Sequence, residues 1–83
     1  MSPGRADIRA ALLALAARRG PGKTFCPSEV ARGLAADWRA LMPEIRAEAA
    51  RLQAEGHLQG FQRGRPVDPA TARGPIRLGL PRG

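Results

Sequence analysis

Three observations predict an α+β fold for this chain of 83 residues. Apolar residues recur at helical spacing ahead of Gly20-Pro21-Gly22. The stretch from Phe25 to Gly56 reads as helix, break, helix. Behind an arginine-rich loop, Ile76, Leu78 and Leu80 then alternate with Arg77 and Gly79. In that order the elements outline a winged helix-turn-helix, a three-helix core with a small antiparallel β-wing.

The first helix is read from Ile8, Ala11, Leu12, Leu15 and Ala16, which form one apolar stripe. Ser2 is placed to cap it and Pro3 to occupy its first position. Arg18 and Arg19 fall in the last turn, where cations suit the helix dipole, and Gly20 ends it. Phe25 is strand-prone and could add a third strand to a later hairpin. Cys26-Pro27-Ser28-Glu29 opens a short second helix with the spacing of a capping box, Cys standing where Ser or Thr is usual. Val30, Ala31 and Leu34 face inward.

Pro43 lacks an N–H and crowds the preceding turn. Asp37–Met42 is therefore expected as a short helical connector, with a third helix starting at Pro43 and ending at Gly56. Ile45, Ala49 and Leu52 form its core face, with Glu48 on the same side. His57–Gln62 and Pro75–Leu80 are the strand candidates, joined by a long hairpin loop from Arg63 to Gly74. Gly60 falls where an inward aliphatic residue is expected, and Phe61 then falls on the outer face; a bulge at Gly60 would restore the pattern. The expected core is Ile8, Leu12, Leu15, Val30, Leu34, Trp38, Leu41, Ile45, Ala49, Leu52, Leu58, Ile76 and Leu78.

The length fits a single domain over 1–83, with an ordered core of about 5–80. The net charge is +7, and its placement is uneven. Five basic residues stand against Asp7 before Pro27, and five stand against Asp68 after Gly56. The segment between carries four arginines and five acids. Basic ends around a neutral middle favour a polyanionic partner. Cys26 is the sole cysteine, which excludes an internal disulfide. No apolar run is long enough to span a membrane and no leader peptide is legible, so a cytoplasmic location is expected.

No Ser/His/Asp set, carboxylate pair or metal-ligand spacing is present, so no enzyme activity, cofactor or metal is expected. Gly20-Pro-Gly-Lys-Thr24 has a superficial likeness to a phosphate loop but lacks its spacing. The candidate nucleic-acid contacts are Arg46, Arg51 and Gln53 on the third helix, and Arg63, Arg65, Arg73 and Arg77 in and beside the wing. The wing signal is the stronger one. Its glycines let a backbone approach phosphate, and its arginines supply paired donors. The third helix carries Glu44, Glu48 and Glu55 against two arginines, a poor balance for entering a groove. The expected partner is double-stranded DNA or another nucleic acid. The alternative is a protein partner or a homodimer, docked on the face formed by Ala47, Ala50 and Ala54.

The phrases Cys26-Pro-Ser-Glu-Val-Ala-Arg32, Asp37-Trp-Arg-Ala-Leu-Met-Pro43, Gly64-Arg-Pro-Val-Asp-Pro69 and Arg73-Gly-Pro-Ile-Arg-Leu78 resemble a family of short bacterial proteins. That family is known as a domain of unknown function with a winged-helix fold. The resemblance runs from about Ile8 to Leu80. It implies the fold and no activity. The chain departs from it at Gly60, where an aliphatic residue is expected.

Overall fold

The structure, a computed structural model, describes residues 3–82. Helix α1 spans Arg5–Arg19. Its cap is Gly4, whose N–H donates to the Asp7 carboxylate at 2.9 Å. The helix thus starts later than the expected Ser2-Pro3 cap, and Ser2 lies outside the described residues. Ile8, Leu12 and Ala16, four residues apart, form the buried stripe. A two-residue strand β1 (Thr24–Phe25) leads into helix α2 (Pro27–Leu34). At the start of α2 the Glu29 carboxylate accepts from the Cys26 N–H at 2.9 Å, the expected reach-back of a capping box.

Ala35, in an extended conformation, ends α2, and helix α3 then runs unbroken over Trp38–Ala54. The expected boundary at Pro43 is overturned, because Pro43 lies inside α3. Packing explains why. Leu41 and Ile45 flank the proline at one-turn spacing, and both are buried on the stripe that continues through Ala49 and Leu52. Pro43 and Glu44 are exposed, so the carbonyl deprived of its helical donor lies on the wet side of the helix. Burial on one face outweighs a missing hydrogen bond on the other.

The remaining strands are β2 (Gln59–Gln62), β3 (Arg65–Val67) and β4 (Arg77–Gly79). Among the described residues they form with β1 one antiparallel sheet in the order β1-β4-β2-β3. Phe25 pairs with Leu78, so β1 is the added strand its sequence suggested. The long expected loop is instead a tight β2–β3 hairpin followed by a return segment. A three-residue strand containing Pro66 carries too little periodicity to be read in advance.

Gly60 sits in unbroken register between Val67 and Leu78, without a bulge. The glycine is required by close approach. A Cβ there would lie 2.9 Å from both Pro69 Cγ and the Val67 carbonyl oxygen. Pro69 fills the place an aliphatic side chain would take. With the register unbroken, Phe61 alternates to the opposite face and stands outside the main core. It is nevertheless only 4% exposed, and the Arg82 guanidinium lies 4.6 Å from its ring centre.

The core joins Leu12 of α1, Val30 of α2, Ile45 and Leu52 of α3, Phe25 and Leu78 of the sheet, and Leu58 just ahead of β2. Leu15, Leu34 and Trp38, expected inside it, are half-buried at its edge. Trp38 sits at the start of α3, and the guanidiniums of Arg32 and Arg39 lie 4.6 and 4.5 Å from its ring centre. Among the described residues no helix is long and apolar enough to cross a membrane.

Candidate functional site

The basic hairpin β2–β3 begins with its turn. Gln62 pairs with Arg65, leaving Arg63 and Gly64 as a two-residue loop. Both have positive φ, 53° and 79°, the signature of a type I′ turn whose twist matches a β-hairpin. Glycine suits the second position. At the first, Asn or Gly is usual, and Arg63 is the one non-glycine residue with positive φ among the described residues. Holding an arginine there costs about 1 kcal/mol.

The return segment is fixed from two sides. Arg46 of α3 donates from Nη1 to the Ala72 carbonyl at 2.7 Å and from Nη2 to the Gly74 carbonyl at 2.6 Å. Gln62 of β2 donates from Nε2 to the Arg73 carbonyl at 2.6 Å and to the Pro75 carbonyl at 3.2 Å. Four consecutive carbonyls are thereby held, alternate ones by each side chain. Ahead of them Asp68 Oδ1 accepts from the Ala70 N–H at 2.8 Å, and Pro69 is buried on Gly60. The backbone carrying Arg73 is therefore ordered, while its side chain is exposed.

Arg63, Arg65 and Arg73 border one concave surface with Gln62, Pro66 and Val67. All three arginines are exposed. The ion pairs of the described residues lie elsewhere, joining Arg5, Arg9 and Arg51 to Glu48, Arg9 to Glu55, and Arg19 to Glu29, with His57 Nε2 3.9 Å from Glu55. Asp68, the nearest acid in sequence, bonds the backbone instead of these guanidiniums. The surface thus presents positive charge and paired N–H donors, the chemistry that receives phosphate or carboxylate oxygens.

The other expected contacts are placed differently. Arg46 is half-buried in the clamp just described. Arg51 donates to Glu48 at 2.9 Å. Gln53 Oε1 accepts from the Gly60 N–H at 2.7 Å and from Gln59 Nε2 at 3.1 Å. Arg77 donates to the Thr24 hydroxyl at 3.1 Å and the Thr24 carbonyl at 3.0 Å. The fold gathers Arg63, Arg65 and Arg73 and engages the other four in internal bonds.

A further charged centre went unread. Glu48 is only 1% exposed and takes Arg5 Nε at 2.8 Å, Arg9 Nη1 at 3.0 Å and Arg51 Nη1 at 2.9 Å. Burial alone raises its carboxyl. Hydrogen bonds from Arg9 and Arg51, with the charge of Arg5, outweigh that and hold it below the usual carboxylate range. The sequence signal was an acid on the Ile45–Ala49–Leu52 face, which needs a cation from a packed neighbour.

A comparison with curated proteins finds no match. The family model described as "Protein of unknown function (DUF3253)" matches residues 5–81, nearly the whole chain, and the chain belongs to that family.

Proposed function

We propose that the domain is a winged helix that binds nucleic acid, mainly through phosphate contacts from Arg63, Arg65 and Arg73. The order of helices and the β1-β4-β2 arrangement are compatible with that fold, with β2–β3 as the wing. The observation that carries the reading is the cluster itself. Three exposed arginines border one concavity, and none is paired with a carboxylate among the described residues. The backbone of Arg63 adds weight. Retaining arginine at a strained turn position where Asn or Gly is easier points to a use for its side chain.

The test is a titration of the folded domain with a mixed-sequence DNA duplex at low and moderate salt. Binding at low salt that weakens steeply as salt rises is expected. No binding at low salt, with folding shown independently, would remove this reading. It would favour a second one, docking of a protein on α3. That reading draws on the shallow, largely apolar hollow that Ala47 shares with Ile8, Glu44 and Arg51.

A further inference from the structure

The α3 side chains Arg46, Arg51 and Gln53, the candidates for meeting base edges in a groove, are engaged in internal bonds. Arg46 holds the Ala72 and Gly74 carbonyls with both terminal nitrogens. Gln53 caps the Gly60 N–H with the oxygen it would need for bidentate recognition of adenine. Arg51 is paired with buried Glu48. Releasing Arg46 or Gln53 to a base would leave backbone groups of the wing without partners. What α3 exposes is Arg39, Ala40, Pro43, Glu44, Arg51 and Ala54. The Arg39 guanidinium is laid 4.5 Å from the Trp38 ring centre and Arg51 is paired with Glu48, so this surface has little power to distinguish base pairs.

Single strands are disfavoured on separate grounds. Proteins that hold them stack bases on exposed aromatic rings. This chain has three aromatic residues. Phe25 and Phe61 are buried, and Trp38 is half-buried with two guanidiniums against its ring. The clamped Arg73 backbone and the hairpin register at Arg63–Gly64 instead fix where these arginines leave the backbone, which suits the regular phosphate spacing of a duplex.

We propose that the nucleic acid held by this wing is a duplex, bound by its phosphates and read without base discrimination. The inference rests on the nucleic-acid reading above and specifies its ligand. Its test presents the full chain with a pool of duplexes carrying a randomised centre, beside a randomised single strand of equal length, at low salt. Bound molecules are recovered and sequenced over several rounds. The expected result is recovery of duplex in preference to single strand, with no sequence motif enriched. Base-reading domains prefer their sites over others by about a thousandfold or more, so a motif would stand out.

An enriched motif overturns the inference and leaves phosphate binding intact. Preferential recovery of the single strand overturns it as well. Recovery of neither overturns both this inference and the function it specifies. A second arm uses the combined R63A, R65A and R73A variant, shown to be folded by circular dichroism. Duplex recovery should fall at least tenfold. Unchanged recovery would place the binding surface elsewhere and remove the basis of the inference.

Discussion

Pro69 occupies the space that a side chain at Gly60 would need, with its Cγ 2.9 Å from the position of a Cβ there. The β2 strand and the return segment after β3 approach this closely because residue 60 has no side chain. The same Cβ would meet the Val67 carbonyl at 2.9 Å, and backbone cannot rotate aside as a flexible side chain could. Gly60→Ala should therefore destabilise the domain by about 1–3 kcal/mol, the range for overpacking. Chemical denaturation checks this. Equal stability would mean that the return segment shifts freely.

Glu48 ties α1 to α3, and its low carboxyl pKa makes the tie sensitive to acid. Glu29, held mainly by a hydrogen bond from Arg19 and then by the Cys26 N–H, is lowered in the same way. A carboxyl whose folded pKa lies below its unfolded one stabilises fully above the unfolded value, near 4.5 here, and loses that contribution as pH falls through the folded value. Stability should be flat near neutrality and decline below about pH 4.5. Glu48→Gln should lower stability at pH 7 by about 2 kcal/mol. The gap from wild type should narrow in acid, where wild-type Glu48 also becomes neutral. A gap constant with pH would deny the carboxylate its role.

Arg46 is expected to act on the basic surface through the return segment after β3. Arg46→Ala frees the Ala72 and Gly74 carbonyls and should cost about 1–2 kcal/mol. Hydrogen exchange should rise in residues 70–76, and duplex binding should weaken because Arg73 loses its fixed backbone. Arg46→Lys should not restore it, since one ammonium on a flexible stem does not reproduce a planar fork across two carbonyls. Full rescue by lysine would show that charge alone mattered.

Arg63→Gly should raise stability by about 1 kcal/mol or less, because glycine takes positive φ without strain. Under the proposed function the same change weakens nucleic-acid binding. Opposite signs for the two measurements are the expected outcome. A variant that is both more stable and equally tight in binding would remove Arg63 from the contact surface.

Much of the fold was legible because burial imposes its period on sequence. Leu12 and Leu52 are fully buried where the stripes of α1 and α3 put them. Membership in a family of unknown function, read from four short phrases, also holds. What escaped depended on partners far away in the chain. Pro43 was given a local helix-breaking role, whereas Leu41 and Ile45 pack the helix straight through it. Strand β3 is defined by pairing with β2 and has almost no pattern of its own. Gly60 looked like a missing aliphatic residue because its substitute, Pro69, arrives from the return segment.

The candidate site divides along the same line. Arg63 and Arg65 lie near each other in sequence, and their sharing of one surface followed from a hairpin reading. The engagement of Arg46 with Ala72 and Gly74 joins residues 26 and 28 positions apart, so no local pattern announced it. Glu48 alone left a legible trace, an acid on an apolar face.

The most direct test of the central claim is the salt dependence of duplex affinity, compared between wild type and the R63A, R65A and R73A combination. If these arginines contact phosphates, the slope of log affinity against log salt should become shallower by about 0.9 for each lost contact, approaching 2.7 for all three. The melting behaviour should hardly change, since exposed charges contribute little to stability and alanine has the same Cβ as arginine at the positive φ of position 63. An unchanged slope in a folded variant would contradict the assignment of the wing as the phosphate-binding surface.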